Sequence, residues 1–165
     1  MENNIRNTST SELAKELALR LIASGKTIAT AESCTGGNIA HNITLLAGSS
    51  QYFLGGIVSY ANEVKMNVLG VHKEDLEKYG AVSQAVVESM ATGACKAIGS
   101  DYSVATSGIA GPGGGSEEKP VGTVWMAVSD GRKTVSKCWH FDGNREEIIE
   151  KATKTAIFML LEIVC

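Results

Sequence analysis

Short runs of apolar and β-branched residues alternate along the chain with segments that carry apolar residues at helical spacing. This pattern predicts five strands, in residues 26–31, 53–61, 101–107, 121–129 and 133–141. It predicts helices in residues 11–24, 37–46, 62–69, 73–78, 83–98 and 144–164. The turn dipeptide Asp130-Gly131 joins the last two strands as an antiparallel hairpin. We therefore expect an α/β fold: a three-layer α/β/α sandwich with a mixed, mainly parallel five-stranded sheet and one antiparallel edge hairpin.

The length of the chain fits one domain. It has 165 residues, which is enough for a substantial core and short for two domains. No internal repeat or linker is visible, so we expect a loose N-terminus in residues 1–9 and a single domain in residues 10–165. The polar N-terminus lacks the apolar core of a signal peptide, and no apolar run approaches the ~18 residues that a membrane span requires.

The charged residues, cysteines and histidines exclude several classes of function. The formal net charge of -3 gives no electrostatic footprint for nucleic acid or for an anionic membrane. The four cysteines form no CxxC pair, so neither a zinc framework nor a disulfide scaffold is expected. The three histidines are scattered, and they offer neither metal-ligand spacing nor an obvious triad base. We expect a cytoplasmic protein without a metal.

Three irregular segments follow the first three predicted strands: ESCTGG (32–37), SYANEVK (59–65) and SGIAGPGGG (107–115). Ligands of open α/β sheets bind outside the carboxyl ends of the strands. We therefore expect these segments to meet and to form the functional site. They contain no P-loop, no GxGxxG and no G-x-S-x-G sequence, so the familiar motifs do not explain them.

Ser33 is the leading candidate for a nucleophile. It lies at a strand-to-helix turn, where backbone N–H groups point at a bound anion or a developing oxyanion. Gly36 and Gly37 let a ligand approach the backbone closely. The alternative is that Ser33 or Thr35 only caps the helix. Cys34 is a rival nucleophile, but no histidine accompanies the motif, so we interpret Cys34 as a packing residue.

Lys65 is the candidate for a general base. Asn62 is the expected N-cap of its helix, which places Lys65 at the third helical position, where a capping box prefers Glu or Gln. The positive end of the helix dipole favours the neutral amine, although desolvation has to supply most of the required lowering of its pKa. Tyr60 could relay a proton or orient the amine. The alternative is a solvated surface lysine beside an ordinary strand aromatic.

The segment SGIAGPGGG offers many backbone amides and little side-chain chemistry, which suits a phosphate or ribose cradle. The alternative is a long flexible connection, although Pro112 and Pro120 stiffen it. Arg145 opens the last predicted helix, where it could pair with a phosphate or with a glutamate.

Six motifs, in order, resemble one known family. They are ESCTGG (32–37), SYANEVKMNVLGV (59–71), AVSQAVVESMA (81–91), TSGIAGPGGG (106–115), KPVGTVW (119–125) and FDGNRE (141–146). From about residue 10 to its end, the chain resembles the CinA C-terminal domain family of competence/damage-inducible proteins, which includes stand-alone nicotinamide-nucleotide amidases. The resemblance implies a three-layer α/β/α fold with a mixed sheet.

The resemblance also implies an activity and residue roles. The activity is hydrolysis of the carboxamide of nicotinamide mononucleotide to the nicotinate nucleotide and ammonia, with no metal or organic cofactor. Ser33 would be the nucleophile, Lys65 its base and Tyr60 a supporting hydroxyl. Thr106, Ser107, Gly108 and Arg145 would lie around the substrate, together with the turn and loop residues Thr35, Gly36, Gly37 and Gly111.

Two other functions stay open on the sequence. One is a non-catalytic nucleotide-binding or regulatory domain. The other is an interaction module in DNA uptake or damage response, which the charge of -3 and the sparse aromatic residues do not support. We expect a small-molecule nucleotide as the partner, rather than nucleic acid or a membrane, and a homodimer is consistent with a compact domain that has short loops.

Overall fold

The β-branched and apolar runs form one mixed sheet in the computed structural model, which describes residues 7–164. Its strands are β1 (Ile28–Glu32), β2 (Phe53–Val58), β3 (Tyr102–Gly108), β4 (Thr123–Ser129) and β5 (Thr134–His140). The order across the sheet is β2-β1-β3-β4-β5. β1 pairs in parallel with β2 and β3, whereas β4 is antiparallel to β3 and β5. Four strands therefore point the same way, which confirms the predicted mainly parallel sheet and its edge hairpin.

The helices of the described residues cover both faces of this sheet. They are α1 (Thr10–Ser24), α2 (Asn38–Thr44), α3 (Asn62–Leu69), α4 (Lys73–Tyr79), α5 (Gln84–Ile98) and α6 (Arg145–Ile163). The apolar sides of α1, α2 and α6 pack on one face of the sheet in the larger core cluster. Residues of α3, α4 and α5 pack on the other face, against the small side chains Ala31, Ala105 and Ala127. The predicted three-layer sandwich is confirmed.

Ser9 caps α1, because Glu12 lies three residues after Ser9 and completes a capping box with it. The predicted cap of α3 is wrong. The N-cap of α3 is Ala61, not Asn62, since the backbone is still extended at Ala61 and the first helical hydrogen bond runs from Lys65 N to Ala61 O. Lys65 is therefore the fourth helical residue. It lies beyond the free N–H groups of the first turn, so the helix dipole acts on it less than predicted.

Close packing between α3 and α5 fixes the position of the helix that carries Lys65. A Cβ atom at Gly93 of α5 would lie 1.9 Å from the carbonyl oxygen of Leu69. Only glycine allows the end of α3 to approach α5 this closely.

The prediction of a loose segment in residues 1–9 falls mostly outside the described residues. Within residues 7–164, no helix is long and apolar enough to cross a membrane.

Candidate active site

The turn after β1 presents Ser33 at the carboxyl edge of the sheet. Ser33 N donates to Thr106 O of β3 at 3.0 Å, and Gly36 N donates to Ser33 O at 3.0 Å. The chain then passes through Gly36 and Gly37 with φ values of 59° and 99°, which glycine adopts without strain. These contacts hold the serine between the ends of β1 and β3.

Lys65 lies beside this serine, although 32 residues separate them in the chain. The distance between Lys65 Nζ and Ser33 Oγ is 3.1 Å. Nζ also donates to Ser59 O at 2.6 Å and to Tyr60 O at 3.4 Å, both just past the end of β2. The lysine is only 1% exposed, so the alternative of a solvated surface lysine is wrong.

Both the burial of Lys65 and its hydrogen-bond partners suit a neutral amine. Burial lowers the pKa of Lys65 below the ordinary value of a lysine, since desolvation penalises the ammonium. A neutral amine has two N–H groups and one lone pair. The carbonyls of Ser59 and Tyr60 can accept the two N–H groups, which leaves the lone pair to accept a hydrogen bond from the Ser33 hydroxyl.

Tyr60 and Arg145 meet at the mouth of the site. Arg145 Nη2 lies 3.0 Å from the Tyr60 hydroxyl, and Arg145 Nη1 donates to Gly111 O at 2.7 Å. The Tyr60 side chain is largely exposed, at 62%, and its hydroxyl does not contact Lys65. The backbone carbonyl of Tyr60, rather than its hydroxyl, hydrogen-bonds Nζ, and a supporting role of the hydroxyl in catalysis stays a prediction. Within residues 7–164, Arg145 forms no ion pair with a glutamate.

Three polar residues expected around the substrate have buried side chains. The hydroxyls of Thr35 and Thr106 hydrogen-bond each other at 2.8 Å, and Ser107 Oγ donates to Ala81 O at 2.8 Å. All three side chains are almost fully buried and engaged inside the protein. They hold the ends of β1 and β3 together, and their place around the substrate stays a prediction.

The three irregular segments enclose one cavity, as predicted. Its volume is about 220 Å³, and its lining residues are Ser33, Cys34, Tyr60, Gly108, Ala110 and Arg145. A larger cavity of about 570 Å³ lies at the opposite edge of the sheet, around Lys26, Asp101 and Arg132. That cavity is remote from the Ser33–Lys65 pair. We therefore place the candidate site in the smaller cavity.

The family model of the CinA C-terminal domain matches residues 10–164. The chain belongs to the CinA C-terminal domain family. The nicotinamide-nucleotide amidohydrolase PncC of Escherichia coli K12 is 49% identical over 147 residues, which cover 88% of this chain and 89% of the relative. The CinA-like protein of Syntrophomonas wolfei is 48% identical over 157 residues, which cover 95% of this chain but 38% of the relative.

Solved structures agree with this CinA membership. The competence damage-inducible protein A of Klebsiella pneumoniae superposes with a TM-score of 0.91 at 40% identity, covering 94% of this chain and 97% of that chain. The competence/damage-inducible protein CihA of Agrobacterium tumefaciens superposes with a TM-score of 0.90 at 41% identity, covering 93% and 94%.

Cys34 of this CinA domain is a poor nucleophile. Burial raises the pKa of its thiol to about 12, so the group is protonated at neutral pH. This agrees with its interpretation as a packing residue. Within residues 7–164, no group of three or more His, Cys, Asp or Glu side chains lies close enough together to hold a metal ion.

Glu32, the last residue of β1, belongs to the site although it was not predicted from the sequence. Its carboxylate accepts hydrogen bonds from Ile39 N at 2.8 Å and Ala40 N at 3.0 Å, in the first turn of α2. Glu32 therefore caps that helix, and the alternative that Ser33 or Thr35 is the cap is wrong. The available signal was a carboxylate at the end of an otherwise apolar strand, where burial requires a partner.

Proposed function

We propose that this CinA domain is a nicotinamide-nucleotide amidase, which hydrolyses nicotinamide mononucleotide to nicotinate mononucleotide and ammonia. The observation that carries the proposal is the buried Lys65 amine 3.1 Å from the Ser33 hydroxyl, beside an open cavity. A weak nucleophile with an adjacent base of lowered pKa is the arrangement that acyl transfer requires. The name and the 49% identity of the E. coli relative supply the substrate.

In the first step, the neutral amine of Lys65 accepts the proton of Ser33. The serine oxygen then attacks the carboxamide carbon and forms a tetrahedral intermediate whose oxygen carries the negative charge. Backbone amides of the turn can donate to that oxygen. The amides of Ser33 and Gly36 already donate within the protein, whereas those of Cys34 and Thr35 have no hydrogen-bond acceptor among residues 7–164. We assign these two amides as oxyanion donors.

The intermediate then collapses and the carbon–nitrogen bond breaks. Lys65, now an ammonium, returns its proton to the leaving nitrogen, so that ammonia departs and a Ser33 ester remains. Water attacks this ester with Lys65 again accepting a proton, and the acid product leaves with the serine restored. One water is consumed, and one carboxamide becomes one carboxylic acid and one ammonia.

Arg145 binds the phosphate of the substrate in this proposal. Two of its five N–H donors contact Gly111 O and the Tyr60 hydroxyl, so three stay available for phosphate oxygens. Arg145 borders both the Ser33 cavity and a neighbouring cavity of about 420 Å³. A phosphate held there is remote from the bond that breaks, and its binding energy positions the carboxamide at Ser33.

The test is incubation of the purified protein with nicotinamide mononucleotide, with ammonia and nicotinate mononucleotide both measured. We expect turnover in the wild type and none above background in Ser33→Ala. Ser24→Ala, which removes an exposed hydroxyl at the end of α1, is the matched control and should keep wild-type turnover. Wild-type turnover in Ser33→Ala would contradict the nucleophile, and binding without turnover in the wild type would favour a regulatory nucleotide-binding domain.

Three further expectations stay predictions: a homodimer, a cytoplasmic location and activity without a metal or organic cofactor. Sedimentation equilibrium of the purified chain tests the first, since a homodimer has twice the 17.3 kDa mass of one chain.

A further inference from the structure

We propose that Glu32 is a positioning residue that keeps the Ser33 hydroxyl free for Lys65. This role rests on the proposed amidase function, because Ser33 is positioned for that reaction. Glu32 directly precedes Ser33 and is only 1% exposed. It is the buried carboxylate of the nucleophile turn, and the reaction steps above do not use it.

The carboxylate of Glu32 replaces the side-chain cap that α2 lacks. The N-cap position of α2 is Gly37, which has no side chain to accept a hydrogen bond. The free amides of the first turn must find acceptors, and the hydroxyls that most closely precede them in the sequence are those of Thr35 and Ser33. Glu32 accepts from Ile39 N and Ala40 N instead, so these amides place no demand on Ser33.

Glu32 also fixes the turn to the neighbouring strand. Its carboxylate accepts a hydrogen bond from the Thr35 hydroxyl at 2.8 Å, and that hydroxyl lies 2.8 Å from Thr106 Oγ1. The carbonyl of Thr106 accepts from Ser33 N at 3.0 Å. A continuous set of hydrogen bonds therefore links Glu32 to both ends of the turn and to β3.

Glutamine at position 32 should disturb this arrangement without removing its volume. The amide has one acceptor oxygen, whereas both carboxylate oxygens accept in the native protein, and its NH₂ group would face a backbone N–H donor. The turn must shift to relieve that contact. A misplacement of about 1 Å can cost a factor of ~10² in rate.

The first experiment compares steady-state kinetics and thermal unfolding of Glu32→Gln with those of Glu12→Gln. Glu12 is the matched control, because it is an exposed capping carboxylate of α1 whose hydrogen bonds go to Ser9 rather than to the Ser33 turn. We expect kcat to fall about 10- to 100-fold in Glu32→Gln, with KM within about threefold of the wild type. Glu12→Gln should lower Tm and leave kcat unchanged. If Glu32→Gln keeps the wild-type kcat per folded molecule, the proposal is overturned.

Two additions keep the test decisive. Glu32→Asp retains the charge and shortens the side chain, so it should fold and show a smaller loss of kcat. A wild-type kcat both in this variant and in Glu32→Gln would overturn the proposal.

The second addition is a labelling experiment. It measures the rate at which phenylmethanesulfonyl fluoride labels Ser33, with Ser33→Ala as the blank. Slower labelling in Glu32→Gln supports the positioning role even if the wild type fails to hydrolyse nicotinamide mononucleotide. Equal labelling of wild type and variant, or none in the wild type, would overturn it.

Discussion

Lys65→Met should separate catalysis from stability. The side chain of Lys65 is 1% exposed, and methionine fills nearly the same buried space without an amine. The variant loses the base that accepts the Ser33 proton, so we expect kcat to fall about 10²- to 10⁴-fold. Its stability should change far less, because two opposing effects accompany the loss of the amine.

The substitution stabilises the folded protein because protonation of Lys65 is linked to folding. Burial lowers the pKa of Lys65, so the folded state releases this proton at a lower pH than the unfolded state does. Below the folded pKa the buried ammonium costs about 1.4 kcal/mol for each unit of difference between the two pKa values. This cost falls as the pH rises through the folded pKa, and it vanishes above the unfolded value of about 10.4. Methionine removes the cost, so its advantage is greatest below the folded pKa of Lys65 and declines as the pH rises toward the unfolded value.

The unfavourable effect is the loss of hydrogen bonds to two carbonyls. Ser59 O and Tyr60 O lose their contacts with Nζ, at about 1 kcal/mol each. We expect the net free energy of unfolding to change by less than about 2 kcal/mol at pH 7. For a chain of this length, each kcal/mol shifts Tm by about 2–4 °C.

The assay measures kcat at pH 7 and Tm from pH 7 to 10 for wild type, Lys65→Met and Lys26→Met. The Tm of Lys65→Met relative to wild type should decline as the pH rises. Lys26→Met should show a Tm difference from wild type that stays constant from pH 7 to 10, with an unchanged kcat. The hydrogen bond to Asp101 raises the pKa of this exposed lysine, so its stabilising effect is lost only above the ordinary lysine value of about 10.4. A Tm loss above about 10 °C at pH 7, or a kcat within tenfold of wild type, would show that Lys65 acts as a structural ammonium.

Two further predictions test the binding residue and the packing of α3. Arg145→Lys should raise KM for nicotinamide mononucleotide about 10- to 100-fold, because lysine cannot contact Gly111 O, Tyr60 and a phosphate together. Nicotinamide riboside, which lacks the phosphate, is the comparison, and an equal loss of kcat/KM on both substrates would contradict the phosphate role. Gly93→Ala should lower both Tm and kcat, because its Cβ would lie 1.9 Å from Leu69 O and would displace α3. Thr92→Ala, at an exposed neighbouring position, is the control, and equal Tm values for the two variants would contradict the packing argument.

Local patterns in the sequence were sufficient for the fold and for the place of the site. Hydrophobic periodicity depends on residues that are near in sequence, so it identified all five strands and the main helices. The carboxyl ends of β1, β2 and β3 lie at one edge because these strands are parallel. That rule alone brought the segments of Ser33, Lys65 and Gly108 together before any side-chain contact was known.

The partners of the polar groups could not be predicted in this way. Hydrogen-bond partners depend on which groups stay unsatisfied after the strands pair and the helices pack. The Tyr60 hydroxyl contacts Arg145, which is 85 residues away in the chain, rather than the nearby lysine. The Thr106 hydroxyl contacts the hydroxyl of Thr35, and the Ser107 hydroxyl donates to Ala81 O, so both side chains are engaged inside the protein.

The sequence by itself determined that a serine and a lysine follow two parallel strands. It also determined that glycines allow the turn that leads from the serine to the next helix. Only the tertiary structure decided that the lysine is buried and that a glutamate, rather than the serine, caps α2. The physical reason is that burial and capping depend on contacts that form only when the chain folds, beyond the immediate neighbours of each residue. Lys65 is desolvated by the surfaces that pack around it, and Glu32 reaches amides seven and eight residues further along the chain.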